Sequence, residues 1–310
     1  MPLYFSNYIR KCREKCQITQ EKMVEDLYKF DLKIFAGLDT TTLSKWERGI
    51  TKPKIARQVG VVRYFQHRTS KALPCWENHT TDETKILLSE NGMKNLLGKS
   101  KEIVLNFPTA TIDSDDLNVY PIRNSIMMEK VIDINMGLKK DFSHNTSKLT
   151  KKHFETWAVH SNNAFYVCEY KEQFFGLLFS LRLKTESFDK IMNFEMEEKD
   201  LCKNDFASSN EKGTSYLISF FAMNEKAAAA LFVRYYAHLI AHQNRITEVG
   251  GMTMMEDAKK LIANMNLTHH ASKKIAGGLI LQSYRATLAE FLACEKVIKM
   301  IFTEEKYNTH

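Results

Sequence analysis

The sequence predicts a multidomain chain, with a small all-α domain first and a larger α/β domain with a mixed sheet behind it. Three observations carry this. Across residues 1–72 apolar side chains recur at three- and four-residue spacing. From Ile103 onward, runs rich in β-branched and aromatic residues alternate with longer helical patterns. The charge divides at the same place. Residues 1–72 hold 15 Lys and Arg against 7 Asp and Glu, a balance of +8, and residues 73–310 stand at −1.

The chain's 310 residues suffice for two domains and a sizeable core. A 44% hydrophobic and 26% charged composition is ordinary for a globular protein. No stretch approaches the ~18 uninterrupted apolar residues of a membrane span, and the N-terminus lacks the apolar core of a signal peptide. A cytoplasmic protein without a membrane partner is expected. Cys12, Cys16, Cys75, Cys168, Cys202 and Cys294 include no Cys-x-x-Cys pair, so reduced thiols are expected. Cys12 and Cys16 sit one helical turn apart. Two readings stand, an oxidant sensor and plain core residues.

Phe5, Tyr8, Ile9, Cys12 and Cys16 predict a first helix over 4–16. Thr19 caps a second helix with Met23, Val24 and Leu27 inward. A third helix covers about 40–47, capped by Asp39 or Thr40, with Leu43 and Trp46 on its inner face. Thr41, Thr42, Lys45 and Arg48 point outward, and Gly49 supplies the left-handed stop. Thr51 and Pro53 open a fourth helix, with Pro in its first turn and Ile55, Val59, Val62 and Phe65 inward. Small polar residues at a helix start with cations behind them suit the DNA major groove. The excess positive charge of the same segment suits phosphate.

Arg10-Lys-Cys-Arg13, Ile18-Thr19-Gln20, Leu43-Ser-Lys-Trp-Glu-Arg-Gly49 and Pro53 resemble the lambda-repressor-like (Xre) helix-turn-helix family. The resemblance covers roughly the first 70 residues, within a helix-turn-helix domain placed at 1–72. It implies that Gln20, Thr40, Thr41 and Lys45 touch double-stranded DNA and that Arg48 contacts its backbone. Thr42, on the same outward face, and Lys52, in the basic turn, complete the candidate set. Residues 28–38 depart from the family pattern as an extended insertion between the second and third helices.

Residues 73–104 read as a linker and a bridging helix at about 81–97, which either packs on a second copy or docks on its own chain. The apolar faces of 81–97 and 289–302 are the candidate seams of a homodimer on a palindromic site. Strands are expected at 119–123, 164–170, 174–184, 215–223, 249–254 and 279–288. Helices are expected at 126–138, 149–159, 225–242, 256–265 and 289–302.

This order, with the texture of Tyr120-Pro-Ile-Arg123 and of residues 164–178, resembles the GNAT acetyltransferase fold over roughly residues 110–300, within a third segment placed at 105–310. The resemblance implies an acyl-CoA loop ahead of the long helix, where glycines let backbone N–H groups reach pyrophosphate. Lys226 stands for that loop's leading base, but Ala229 and Leu231 occupy its small positions. Four alanines in a row favour helix, and Glu225 repels phosphate. Asn224 and Lys226 remain only weak cofactor-site candidates, and residues 256–266 lack the family's general-acid tyrosine. Neither a catalytic residue nor a cofactor is therefore assigned.

His238 and His242 have metal-binding spacing, but no Glu follows His238 and no third ligand is near in sequence, so no metal is expected. His269-His270 reads as loop. Phe220, Phe221, Phe232, Tyr235 and Tyr236 fit a ligand pocket or a core. The expected function is a sequence-specific DNA-binding regulator whose second domain senses a small molecule, mediates assembly, or both. The alternative is an active N-acetyltransferase targeted by its helix-turn-helix.

Overall fold

Helices form where apolar residues recur at three- and four-residue spacing, and a side-chain cap fixes the start of some of them. In the computed structural model α1 is Phe5–Lys15, α2 Gln20–Phe30, α3 Thr40–Glu47 and α4 Ile55–Thr69. The structure describes residues 4–77, 79–88, 116–123, 127–142, 149–256, 258–259, 262 and 265–302. Thr19 Oγ1 accepts from Lys22 N at 3.2 Å and Asp39 Oδ1 from Thr42 N at 2.6 Å, each satisfying a helix-start N–H. Gly49, at φ +68°, ends α3, and Ile50 N closes the turn onto Lys45 O at 2.9 Å. Pro53 lies ahead of the cap residue Lys54 rather than inside the first turn of α4.

The expected extended insertion is instead compact. Asp31 Oδ1 accepts from Lys33 N and Ile34 N, folding the chain back. Phe35 is fully buried against Gly60, where an added Cβ would meet its ring at 2.8 Å. Arg57 donates to Ile34 O at 3.0 Å and Ala36 O at 2.8 Å, with its guanidinium over Trp46. Bulk at Phe35 and hydrogen bonds from Arg57 thus tie the insertion to α4.

A helix α5 occupies 81–88, and the rest of the expected bridging helix lies outside the described residues. The α/β part continues as β1 Leu117–Pro121, α6 Met128–Phe142, α7 Lys151–Ala158, β2 Ala164–Tyr170, β3 Gln173–Leu183, α8 Thr185–Met192 and β4 Gly213–Ala222. Then come α9 Glu225–Ala241, β5 Ile246–Thr253, β6 Thr268–Lys274, β7 Ile280–Thr287, α10 Leu288–Leu292 and α11 Glu295–Ile301. Among the described residues the seven strands make one sheet in the order β1-β2-β3-β4-β5-β7-β6. Every pair is antiparallel except β4 with β5, which α9 joins as a crossover. This is the mixed sheet with the element order expected from the acetyltransferase resemblance. Helix α8 and strand β6 are additions, so His269 and His270 lie on an edge strand and not in a loop. The expected last helix is two, broken at Ala293 and Cys294. Half of the residues of the helix expected at 256–265 lie outside the described residues, and Glu256, Ala258, Lys259 and Ile262 among the described ones are helical.

Period-two alternation gives β2 two buried faces. Ala164, Tyr166 and Cys168 join the core that contains α9, whereas Phe165 and Val167 join the one containing α6, α7 and α8. The first of these cores continues into the N-terminal helices. Phe302 packs its ring 5.1 Å from Phe5 and 5.0 Å from Tyr8. Gln66 Nε2 donates to Ala289 O at 2.9 Å, and Leu73 N to Gln243 Oε1 at 2.6 Å. The apolar face of 289–302, expected as a seam between copies, is therefore covered by the chain's own α1 and α4.

Candidate functional site

The outward face of α3 is set by an ion pair beneath it. Arg13 of α1 grips Glu47 at the end of α3 through Nε–Oε1 at 2.6 Å and Nη2–Oε2 at 3.0 Å. Arg13 Nη1 reaches Ile18 O at 3.0 Å, and Gln20 Nε2 donates to Glu47 Oε2 at 2.8 Å. The Glu47 side chain is only 4% exposed, so those donors stand where water would otherwise solvate it. The hydrogen bond to Glu47 holds the Arg13 guanidinium above its usual range. Helix α1, the start of α2 and the end of α3 thus share one carboxylate.

Above this lock Thr41, Lys45, Arg48 and Lys52 are exposed, and Thr40 and Thr42 are half-buried at the helix start. Arg48 Nε lies 3.4 Å from Ser44 O, one turn back along α3. Gln20 differs from the others, because its amide nitrogen faces inward to Glu47. Its visible work is to position α2 against α3. Arg13 and Glu47 both belong to the helix-turn-helix-like motif, but they are 34 residues apart, and only the packing of α1 on α3 brings them together.

The second candidate is a notch in the sheet. Strands β4 and β5 pair from Gly213 with Ile246 to Leu217 with Gly251 and no further. Beyond that point β4 stays with β3 as far as Ala222, and β5 stays with β7 as far as Thr253. The sheet therefore opens between residues 218–222 and 252–253, leaving one edge of each strand without a ladder partner among the described residues. Ser219 Oγ in this stretch is buried with no hydrogen-bond partner among the described residues, and Phe220, Phe221, Met252 and Thr253 are half-buried.

Helix α9 starts just past the notch, and its first turn is closed. Asn224 Oδ1 accepts from Ala227 N at 2.8 Å, so a carboxamide occupies a donor that an anion would need. Glu225 adds a negative charge in that turn. Ala229 and Leu231, at the positions where the acetyltransferase resemblance expects small residues, lie buried inside regular helix. Asn224 thus serves as a cap, and Lys226 sits half-buried in the first turn of α9. The Phe220 and Phe232 rings lie 4.7 Å apart and tilted, with Phe220 packed half-buried against the core that holds Phe232.

His238 and His242 lie with ring centroids 4.4 Å apart. His242 Nδ1 is 2.8 Å from His238 O. Burial and the neighbouring imidazole push His238 well below its ordinary value, and burial lowers His242. Among the described residues no cluster of His, Cys, Asp and Glu has the make-up of a metal site. No described helix is long and apolar enough to cross a membrane.

No family model matches the chain, and no curated protein matches it. Solved structures do. An N-acyl amino acid synthase from uncultured soil microbes matches with a TM-score of 0.40 at 10% identity, over 56% of this chain and 91% of its own. A mosquito arylalkylamine N-acetyltransferase-like protein has a TM-score of 0.39 at 9% identity, over 55% and 99%. An N-acetyltransferase from Staphylococcus aureus has 0.37 at 9%, over 56% and 97%.

Proposed function

We propose that this chain is a cytoplasmic DNA-binding regulator that reads double-stranded DNA with α3 and takes a small ligand in the notch between β4 and β5. The observation that carries the DNA reading is the Arg13–Glu47–Gln20 lock beneath an outward row of Thr41, Lys45, Arg48 and Lys52. A rigid helix with small polar residues at its start and cations behind it enters a major groove without reorganising. One such helix reads few base pairs, so a homodimer on a palindrome, with half-sites ~34 Å apart, completes the reading. Selection of bound sequences from a random duplex pool tests it. Enrichment of a palindrome, with affinity falling steeply as salt rises, is expected. Recovery of no motif, with no binding at low salt, would sink it.

A second reading has its own observation. The notch leaves the 218–222 edge of β4 open, and an extended, amide-containing acyl carrier can pair with such an edge. Acyl transfer is then the alternative function. Against it stand the Asn224 cap, Glu225 and the buried Ala229 and Leu231. Titration calorimetry on the full chain with acetyl-CoA separates the two. Saturable micromolar binding, lost on Lys226→Glu, would favour the enzyme, and no saturation is expected.

A further inference from the structure

Cys12 and Cys75 are 63 residues apart in sequence, yet their Sγ atoms lie 3.3 Å apart, with the Cys12 thiol donating. Helix α1 supplies Cys12, which is buried. The segment after α4 supplies Cys75, half-buried in a left-handed turn at φ +68°. A disulfide needs ~2.05 Å between the sulfurs, so the two need only a small closure. They line a cavity of about 220 Å³ with Lys15, Cys16, Lys71 and Glu77, large enough to admit a small peroxide.

The two thiols are not equivalent. The hydrogen bond from Cys12, helped by the Lys15 ammonium and opposed by burial, lowers Cys75 to about 7. The same hydrogen bond, together with burial, raises Cys12. One member is therefore a thiolate for much of the time at neutral pH, and the other is a protonated neighbour within reach.

We propose that Cys12 and Cys75 are a peroxide-modifiable pair, in which a hydroperoxide oxidises Cys75 and Cys12 then closes a disulfide between α1 and the segment after α4. In the first step the Cys75 thiolate attacks the hydroperoxide, an S–O bond forms and the O–O bond breaks. Sulfur gives up two electrons, and the leaving alkoxide or hydroxide takes a proton from solvent. In the second step Cys12 sulfur attacks Cys75 sulfur. The S–S bond forms, the S–O bond breaks, and the departing hydroxide leaves as water with the Cys12 proton. The link ties α1, and with it the Arg13 that holds Glu47, to the segment where Leu73 bonds Gln243.

The test is mass spectrometry of the reduced full chain after treatment with hydrogen peroxide. An intact-mass loss of about 2 Da, two hydrogens per disulfide, reversed by dithiothreitol, is expected. Non-reducing peptide maps should join Cys12 to Cys75. Cys16→Ser should keep that link. Cys12→Ser should stop at a sulfenic acid on Cys75, trapped by dimedone. A map joining Cys12 to Cys16, or peroxide treatment that leaves Cys12 and Cys75 both free, overturns the proposal. The wild-type map decides this even if Cys12→Ser fails to fold.

Discussion

At the scale of single residues, Glu47 is where the N-terminal helices are most vulnerable. It accepts from Arg13 twice and from Gln20 once. Glu47→Ala leaves a mostly buried guanidinium and an amide without their acceptor. Breaking such a pair costs about 3 kcal/mol, and urea unfolding should show it as an earlier midpoint. An unchanged midpoint would mean that the ion pair is replaced by solvent. On the outer face, Lys45→Ala should weaken DNA binding and relax its sequence preference by ~1–3 kcal/mol. Arg48→Ala should weaken binding to all sequences alike. Competition with mutated duplexes distinguishes the two, and equal behaviour of both variants would count against a groove assignment for Lys45.

Among the elements, α9 begins just past the notch and ends at the His238–His242 pair. Its start is held by Asn224, so Asn224→Ala should cost about 1 kcal/mol of thermal stability. The same substitution frees the Ala227 N–H, yet acetyl-CoA affinity should stay unmeasurable because Glu225 and the buried alanines remain. Its end carries His238 and His242, both depressed below the ordinary imidazole value of 6.5. The sign follows from linkage. The unfolded chain takes up protons near 6.5 while the folded chain resists them, so stability is complete above that pH and declines as pH falls below it. Melting temperatures at pH 7.5 and 5.5 (two points about a unit either side of the imidazole value) should differ less in His238→Gln than in the wild type. Identical differences would remove His238 from the acid response.

At the scale of the whole molecule, the helical and α/β parts share an apolar core rather than meeting at a polar seam. Phe302 sits between Phe5 and Tyr8, and Val297, Ile298 and Ile301 are buried with them. Truncating Phe302 to Ala should therefore cost ~3–5 kcal/mol. Hydrogen exchange should reveal protection lost together in α1 and α11. Loss confined to α11 would mean that the two parts open independently.

Local spacing was enough for much of this. The bounds of α3 and β2 follow from a capped 3.6-residue period and a period-two run, because both signals lie within a few residues of chain. Strand β6, by contrast, is polar and exposed along nearly its whole length. Only pairing with β7 makes it a strand. The break at Ala293 carries no Gly or Pro, and what it accomplishes is to turn α11 onto α4. Helix α8 did have a signal, Phe188, Ile191 and Met192 at helical spacing, hidden directly behind a strand. Charge partition, the starts of α2, α3 and α9 and the bounds of β2 were thus determined by sequence alone. Tertiary structure decided the meeting of Arg13 with Glu47, the parting of β4 from β5 and the approach of Cys12 to Cys75. Each joins residues too far apart along the chain for any local pattern to encode their contact.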